Sequence, residues 1–125
     1  RWRLGGIEAK ALILTTSYAA LATELDPALA KKPSAVLMVG VAARAKAIRV
    51  ERQATSRRSV LFPDADGQRA RRVAHEGAEP ARRLRTAPVK LLRLLRRQRL
   101  RARLSHDAGR YLCNAAYFRA LGSGL

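Results

Sequence analysis

Apolar positions change their period several times along this chain, and each change predicts an element. Residues 11–15, ALILT, form a short apolar run between polar neighbours and predict a strand. From Tyr18 the period turns helical, with Leu21, Leu25 and Leu29 recurring every four residues. Pro27 follows Asp26 inside that pattern. The helix is therefore expected to break and restart, with Asp26 as N-cap and Pro27 at the first helical position. KKPS (31–34) reads as a turn. AVLMVG (35–40) is a continuous apolar run closed by glycine, the pattern of a strand covered on both faces. AIRVE (47–51) alternates, as a strand wet on one side does.

The stretch from Gln53 to Arg72 is expected to be irregular, with FPDADG (62–67) as its turn. RARRVAHEGAEPARRLR (69–85) is polar and Arg-rich and is interrupted by Gly77 and Pro80, which predicts a surface excursion. Pro88 opens a helix through VKLLRLLRRQ, where Val89, Leu92 and Leu95 share a face and Leu91 lies beside it. LRARLS (100–105) alternates again and predicts a strand. After a turn at Gly109, YLCNAAYFRAL (111–121) predicts a helix ended by Gly122. There is no internal repeat. Strands alternating with helices point to an α/β layered domain.

Length and charge refine this picture. At 125 residues the chain is the size of one domain. Hydrophobic residues make up 48%, which excludes a disordered composition. Lys and Arg number 26 against 9 Asp and Glu, a net charge of +17 that attracts polyanions. The segment 82–103 concentrates arginines around a leucine stripe. Such a segment is either a basic amphipathic helix for nucleic acid or membrane, or a surface helix with Arg on its wet face. The chain shows no RNA-binding signature, zinc-ligand spacing or phosphate-cradling glycine loop. Nucleic acid is thus expected only as a non-specific electrostatic partner. No apolar run approaches the ~18 residues of a spanning helix, so no membrane partner is expected. RWRLGGIEAK has no apolar stretch after its positive charges, and the lone cysteine suits a reducing compartment. These features lead to an expectation of a cytoplasmic protein.

The lone cysteine carries the candidate chemistry. It closes SHDAGRYLCN (105–114) as the second-last residue, and strand, turn and helix place Cys113 in a first helical turn. Unpaired N–H groups and the positive end of the helix dipole stabilise an anion there. A thiolate is such an anion, and so is the oxyanion of a tetrahedral intermediate. The competing reading is an inert, buried packing residue.

Ser105-His106-Asp107-Ala108-Gly109-Arg110-Tyr111-Leu112-Cys113-Asn114 resembles the cysteine signature of the pyroglutamyl peptidase (pyrrolidone-carboxylate peptidase) family, Ser-x-Asp-Ala-Gly-Arg-Tyr-Leu-Cys-Asn. TAPVKLLRLLRRQRLRARLS, just before it, resembles the family's preceding helix and strand. Upstream, Gly40-Val41-Ala42-Ala43, Ile48 and Glu51-Arg52-Gln53-Ala54-Thr55-Ser56 are similar to its glutamate motif. The resemblance runs from about Ala11 to Leu121, leaving 1–10 and 122–125 as ends outside it.

This resemblance implies one α/β domain, a three-layer α/β/α sandwich with a mixed twisted sheet of the phosphorylase/hydrolase-like kind, here incomplete. It implies a cysteine peptidase that removes N-terminal pyroglutamate from peptides, with no cofactor and no metal. Cys113 would be the nucleophile, Glu51 the acid that orients the histidine, and Leu112 a substrate-binding residue. It also assigns 82–103 to a helix packed on the sheet. Several positions differ from the family pattern. The family histidine lies well downstream of the cysteine, whereas His75 falls in the Arg-rich excursion and His106 in the variable position of the motif. Val41 stands where many members have glutamine, Leu61 where many have arginine, and Ser56 where the motif has asparagine. The amino end lacks the family's Gly-Phe-x-Pro-Phe-Gly segment. The expectation is a truncated or diverged member. The alternative is a non-catalytic, strongly basic homologue serving as an interaction or nucleic-acid-binding module. Unpaired sheet edges would favour homo-oligomers.

Overall fold

The computed structural model describes residues 2–73 and 79–124. The chain opens with a hairpin of β1 (Trp2–Leu4) and β2 (Ile7–Ala9), antiparallel with Trp2 opposite Ala9. Its turn is Gly5-Gly6 at φ 55° and 84°, the two successive positive values that a tight two-residue connection requires. The sequence reading assigned no strands to this end.

The leucine-periodic helix forms as α1 (Tyr18–Ala20), a π-helical turn (Leu21–Leu25) and α2 (Asp26–Leu29). It starts where expected, with Ser17 Oγ accepting from the Ala20 amide at 3.2 Å. It does not break at Pro27. Asp26 is helical (φ −59°, ψ −43°), and its N–H reaches back to the Leu21 carbonyl. The proline has no N–H to donate, and the wider π turn carries the helix past it. Asp26 is consequently not a cap; its carboxylate pairs with Arg119.

The central strands are β3 (Ile48–Glu51), β4 (Gln53–Thr55), β5 (Ala81–Arg83) and β6 (Ala102–Ser105). β3 pairs with β6 in parallel, Ile48 opposite Ala102 and Glu51 opposite Ser105. β4 pairs with β5 antiparallel, Gln53 opposite Arg83. Arg52 joins the two arrangements. Its N–H donates to the Ser105 carbonyl at 2.8 Å, and its own carbonyl accepts from the Leu84 amide at 2.8 Å. Residues 48–55 thus pass from a parallel partner to an antiparallel one, so the pairing is mixed. β4 corrects the expectation of irregular chain at 53–72, and β5 puts a short strand in the expected surface excursion at 69–85. Each is only three residues long, too short for an alternating pattern to show.

Two helices flank these strands. Val50 is buried with Leu92 of α3 (Pro88–Arg97) and Ala102 of β6, and Leu95 and Leu104 pack against them. Successive strand residues face opposite sides, so Glu51 turns away from α3. On that other side lies α4 (Leu112–Gly122), whose Tyr117 hydroxyl donates to the Glu51 carbonyl. α4 buries Leu112, Ala115, Ala116 and Ala120 against Leu21, Leu25 and Leu29. Each leucine so buried contributes about 1.5–3 kcal/mol relative to exposure. The result is an α/β fold with helices on both faces. Leu92 and Leu95 of α3 face the sheet, as the family resemblance implied, whereas Leu91, Leu94, Arg93 and Arg97 are exposed.

The predicted strands at 11–15 and 35–40 carry no ladder. Among the described residues no strand pairs with them, and Ile13 (93% exposed) and Val39 (88%) face solvent. The apolar pattern is that of strands covered on both faces, but a strand also needs a neighbour.

Candidate active site

The loop before α4 is built from its own polar side chains. Ser105 Oγ accepts from the Asp107 amide at 3.2 Å, and Asp107 Oδ1 accepts from the Gly109 amide at 2.8 Å. Gly109 sits at φ 81°, which favours glycine, and turns the chain toward the helix. Tyr111 then anchors the corner. Its hydroxyl donates to the Pro63 carbonyl at 2.7 Å, and its ring meets Tyr18 edge-on at 6.3 Å. Burial, followed by the neighbouring Tyr111, pushes the Tyr18 phenol above its ordinary value.

Asn114 fastens the first turn of α4 to the strand below. Its Oδ1 accepts from the Thr55 amide at 2.9 Å. Its Nδ2 donates to the Thr55 carbonyl at 2.9 Å and the Arg57 carbonyl at 3.1 Å. It is fully buried, 0% exposed. Cys113, its neighbour, is exposed. The N-cap residue, Tyr111, makes no side-chain cap, so the positive end of the α4 dipole stays available to an anion. Gly40 lies over the thiol. A Cβ there would stand 3.2 Å from Cys113 Sγ, so the backbone approaches the sulfur as only glycine comfortably allows.

Glu51 ends β3 with its side chain partly buried. Arg49 Nε lies 3.1 Å from Oε1, an ion pair by distance. The contact is not a directional hydrogen bond, because Arg49 Nε is a buried donor without an acceptor. Glu51 Oε2 is likewise buried with no hydrogen-bond partner. Tyr117 connects the Glu51 main chain to the helix. Its hydroxyl donates to the Glu51 carbonyl at 3.0 Å, and it lies one helical turn beyond Cys113 on the same face. Burial, and secondarily the Glu51 charge, push the Tyr117 phenol above its ordinary value.

Leu112 is 7% exposed, its side chain in the core with Leu21, Leu25 and Leu29. His106 is directed elsewhere. Its Nε2 lies 3.4 Å from Arg52 Nη1, and its carbonyl accepts from Gln53 Nε2 at 2.9 Å. A guanidinium only donates, so in this contact Nε2 is the acceptor. His75 lies outside the described residues. Val41 and Leu61 are exposed, and Ser56 is buried. Sequence reasoning missed Tyr117, the contact of Gly40 with the sulfur and the clamp made by Asn114. The spacing of four between Cys113 and Tyr117 was the one available signal.

A model of the pyroglutamyl peptidase family matches residues 3–123. The chain belongs to that family. The pyrrolidone-carboxylate peptidase of Thermococcus kodakarensis is 39% identical over 93 residues, covering 73% of this chain and 45% of that protein. The crystal structure of pyrrolidone carboxyl peptidase from Fervidobacterium islandicum superposes with a TM-score of 0.82 at 29% identity, over 94% of this chain and 57% of that one. The pyrrolidone carboxyl peptidase of Thermococcus litoralis gives 0.81 at 31% identity, over 87% and 50%. The chain therefore spans about half the length of the relatives it matches. These likenesses agree with the α/β fold and with the reading of SHDAGRYLCN as a family signature. Among the described residues no helix is long and apolar enough to cross a membrane.

Proposed function

We propose that this chain carries the nucleophile and the acid of a pyroglutamyl-peptidase site within one domain. The observation that supports this most directly is the presence of two unmet groups. The Cys113 thiol is exposed in the first turn of α4. Glu51 Oε2 is buried with no donor, and strand alternation from Val50, which packs on α3, turns that side chain toward the α4 side. In the peptidase reaction the thiolate attacks the pyroglutamyl carbonyl carbon. The resulting oxyanion is met by first-turn N–H groups. The C–N bond then breaks, the amine leaves with the proton taken from the thiol, and water hydrolyses the thioester. Glu51 Oε2 is the acceptor that an imidazole N–H would need in order to be oriented. Leu112 contributes to the substrate site through its main chain, because its side chain is committed to the core.

Neither His106 nor any other described histidine lies beside Cys113. Base function is therefore tested by chemical rescue. The protein is incubated with a pyroglutamyl chromogenic amide under reducing conditions, with and without imidazole. Turnover that rises with imidazole and vanishes in Cys113→Ala and Glu51→Gln supports the reading. Rapid alkylation of Cys113 with no turnover under either condition limits the chain to a non-catalytic member of the family. N-terminally pyroglutamylated peptides are the proposed ligands, the cytoplasm the proposed compartment, and self-association through the uncovered apolar segments the proposed assembly. The arginines of α3 do not favour a specific nucleic-acid site, since Leu92 and Leu95 dock this helix on the strands as a surface helix with Arg on its wet face.

A further inference from the structure

A cavity lined by none of Cys113, Glu51 or Tyr117 opens where β4, β5 and the start of α3 meet the end of β6. Its lining includes Arg52, Gln53, Arg83, Thr86, Pro88 and His106. We propose that this cavity binds a tetrahedral oxyanion of the phosphate class.

Three independent features converge there. First, two guanidinium groups and an imidazole share a lining that contains no carboxylate. Arg52 Nη1 and His106 Nε2 lie 3.4 Å apart, so the two side chains are already brought together at this lining. Secondly, the acids nearest in sequence are turned away. Glu51 pairs with Arg49 along the same strand, and Asp107 Oδ1 accepts from the Gly109 amide. The ion pairs found among the described residues leave Arg52 and Arg83 without a carboxylate partner. Thirdly, Pro88 brings the first turn of the ten-residue helix α3 to the wall, and the N-cap Ala87 offers no side-chain acceptor. The positive end of that helix therefore adds to the same field. Each guanidinium presents five N–H donors in a planar fork, and only one is engaged at Arg52. The cavity, about 220 Å³, admits one phosphate group with room for a small ester. The net charge of +17 raises the local anion concentration at its mouth.

The test is titration of the full chain with inorganic phosphate, with sodium chloride adjusted to hold ionic strength constant. Thermal shift and ³¹P line broadening are the readouts. A saturable rise in Tm is expected, with Arg83→Gln and Arg52→Gln each weakening apparent affinity about tenfold. Arg97→Gln, which removes the same charge from an exposed position of α3, is expected to leave affinity unchanged, as is Cys113→Ala. A parallel arm uses O-phosphoserine. Equal binding assigns the site to esterified phosphate, and binding of inorganic phosphate alone assigns it to the free ion. If Arg52→Gln does not fold, exposed Arg83 and the ³¹P signal of the wild type carry the test. The proposal is overturned if phosphate acts no differently from chloride, or if Arg97→Gln weakens binding as much as Arg83→Gln. Neither outcome depends on peptidase activity, so the two readings fail separately.

Discussion

Asn114 bears the largest predicted cost of any side chain near the thiol. Replacement by alanine removes three hydrogen bonds at 2.9, 2.9 and 3.1 Å in a fully buried position. The Thr55 amide and the Thr55 and Arg57 carbonyls lose their Asn114 partner. Each bond is worth about 1 kcal/mol net, and more where a partner is left unsatisfied in the interior, so the loss is about 3 kcal/mol. An unfolding entropy of about 2.1 cal/mol/K per residue over 125 residues is roughly 260 cal/mol/K, so Tm falls by about 11 °C. Urea unfolding with an unchanged m-value, alongside calorimetry, measures the loss. Asn114→Asp supplies a sign test. Its carboxylate would face two carbonyls, and burial among them raises its folded pKa above the unfolded ~3.9. The protonated form, which can donate, is then favoured in the fold. Stability relative to wild type is greatest below the unfolded value and is lost as pH rises through the folded one. A loss below about 1 kcal/mol for Asn114→Ala, or an Asn114→Asp variant whose deficit does not shrink on acidification, refutes the claim that this amide clamps α4 to β4.

Gly40→Ala places a methyl group 3.2 Å from Cys113 Sγ. The exposed thiol can rotate away, so stability is expected to change by less than about 0.5 kcal/mol, while the iodoacetamide alkylation rate of Cys113 shifts measurably. Asp64, in the 62–67 turn, has its carboxyl held below the ordinary range first by the Tyr18 amide, with the Gln68 and Asp66 amides adding to the effect. Its stabilising contribution is present above the unfolded value of ~3.9 and is lost as pH falls through the lower folded one. Asp64→Asn is therefore expected to flatten the acid limb of a stability-versus-pH curve, and an unchanged limb counts against the turn's role. Tyr117→Phe removes a donor to the Glu51 carbonyl and is expected to cost about 1 kcal/mol in urea melts. It should also delete one late-titrating phenol from an alkaline absorbance titration, since a raised folded value gives stability below ~10 that is lost as pH climbs through the folded one.

Much of the framework was legible because it is local. The helices at 18–29, 88–97 and 112–122 and the strands at 48–51 and 102–105 each carry their own period, caps or turn residues. The decapeptide at 105–114 spelled out both a corner geometry and a family, because a strand–turn–helix corner and its nucleophile are contiguous. Contacts between distant segments were not legible. No periodicity announces that Arg52 passes the chain from a parallel to an antiparallel neighbour, that Gly40 lies on the cysteine sulfur, or that Tyr117 reaches Glu51.

The apolar runs at 11–15 and 35–40 mark the division most clearly. Their composition states that they favour cover on both faces, a property of side-chain transfer from water that any sequence reveals. Whether they form a ladder depends on a second backbone arriving at hydrogen-bonding distance, and that is a relation between segments which only the tertiary structure can supply. The same holds for the chemistry. Residue type determines that Cys113 can be a nucleophile and Glu51 an acceptor, whereas packing alone decides that one is exposed and the other keeps a buried oxygen unmet.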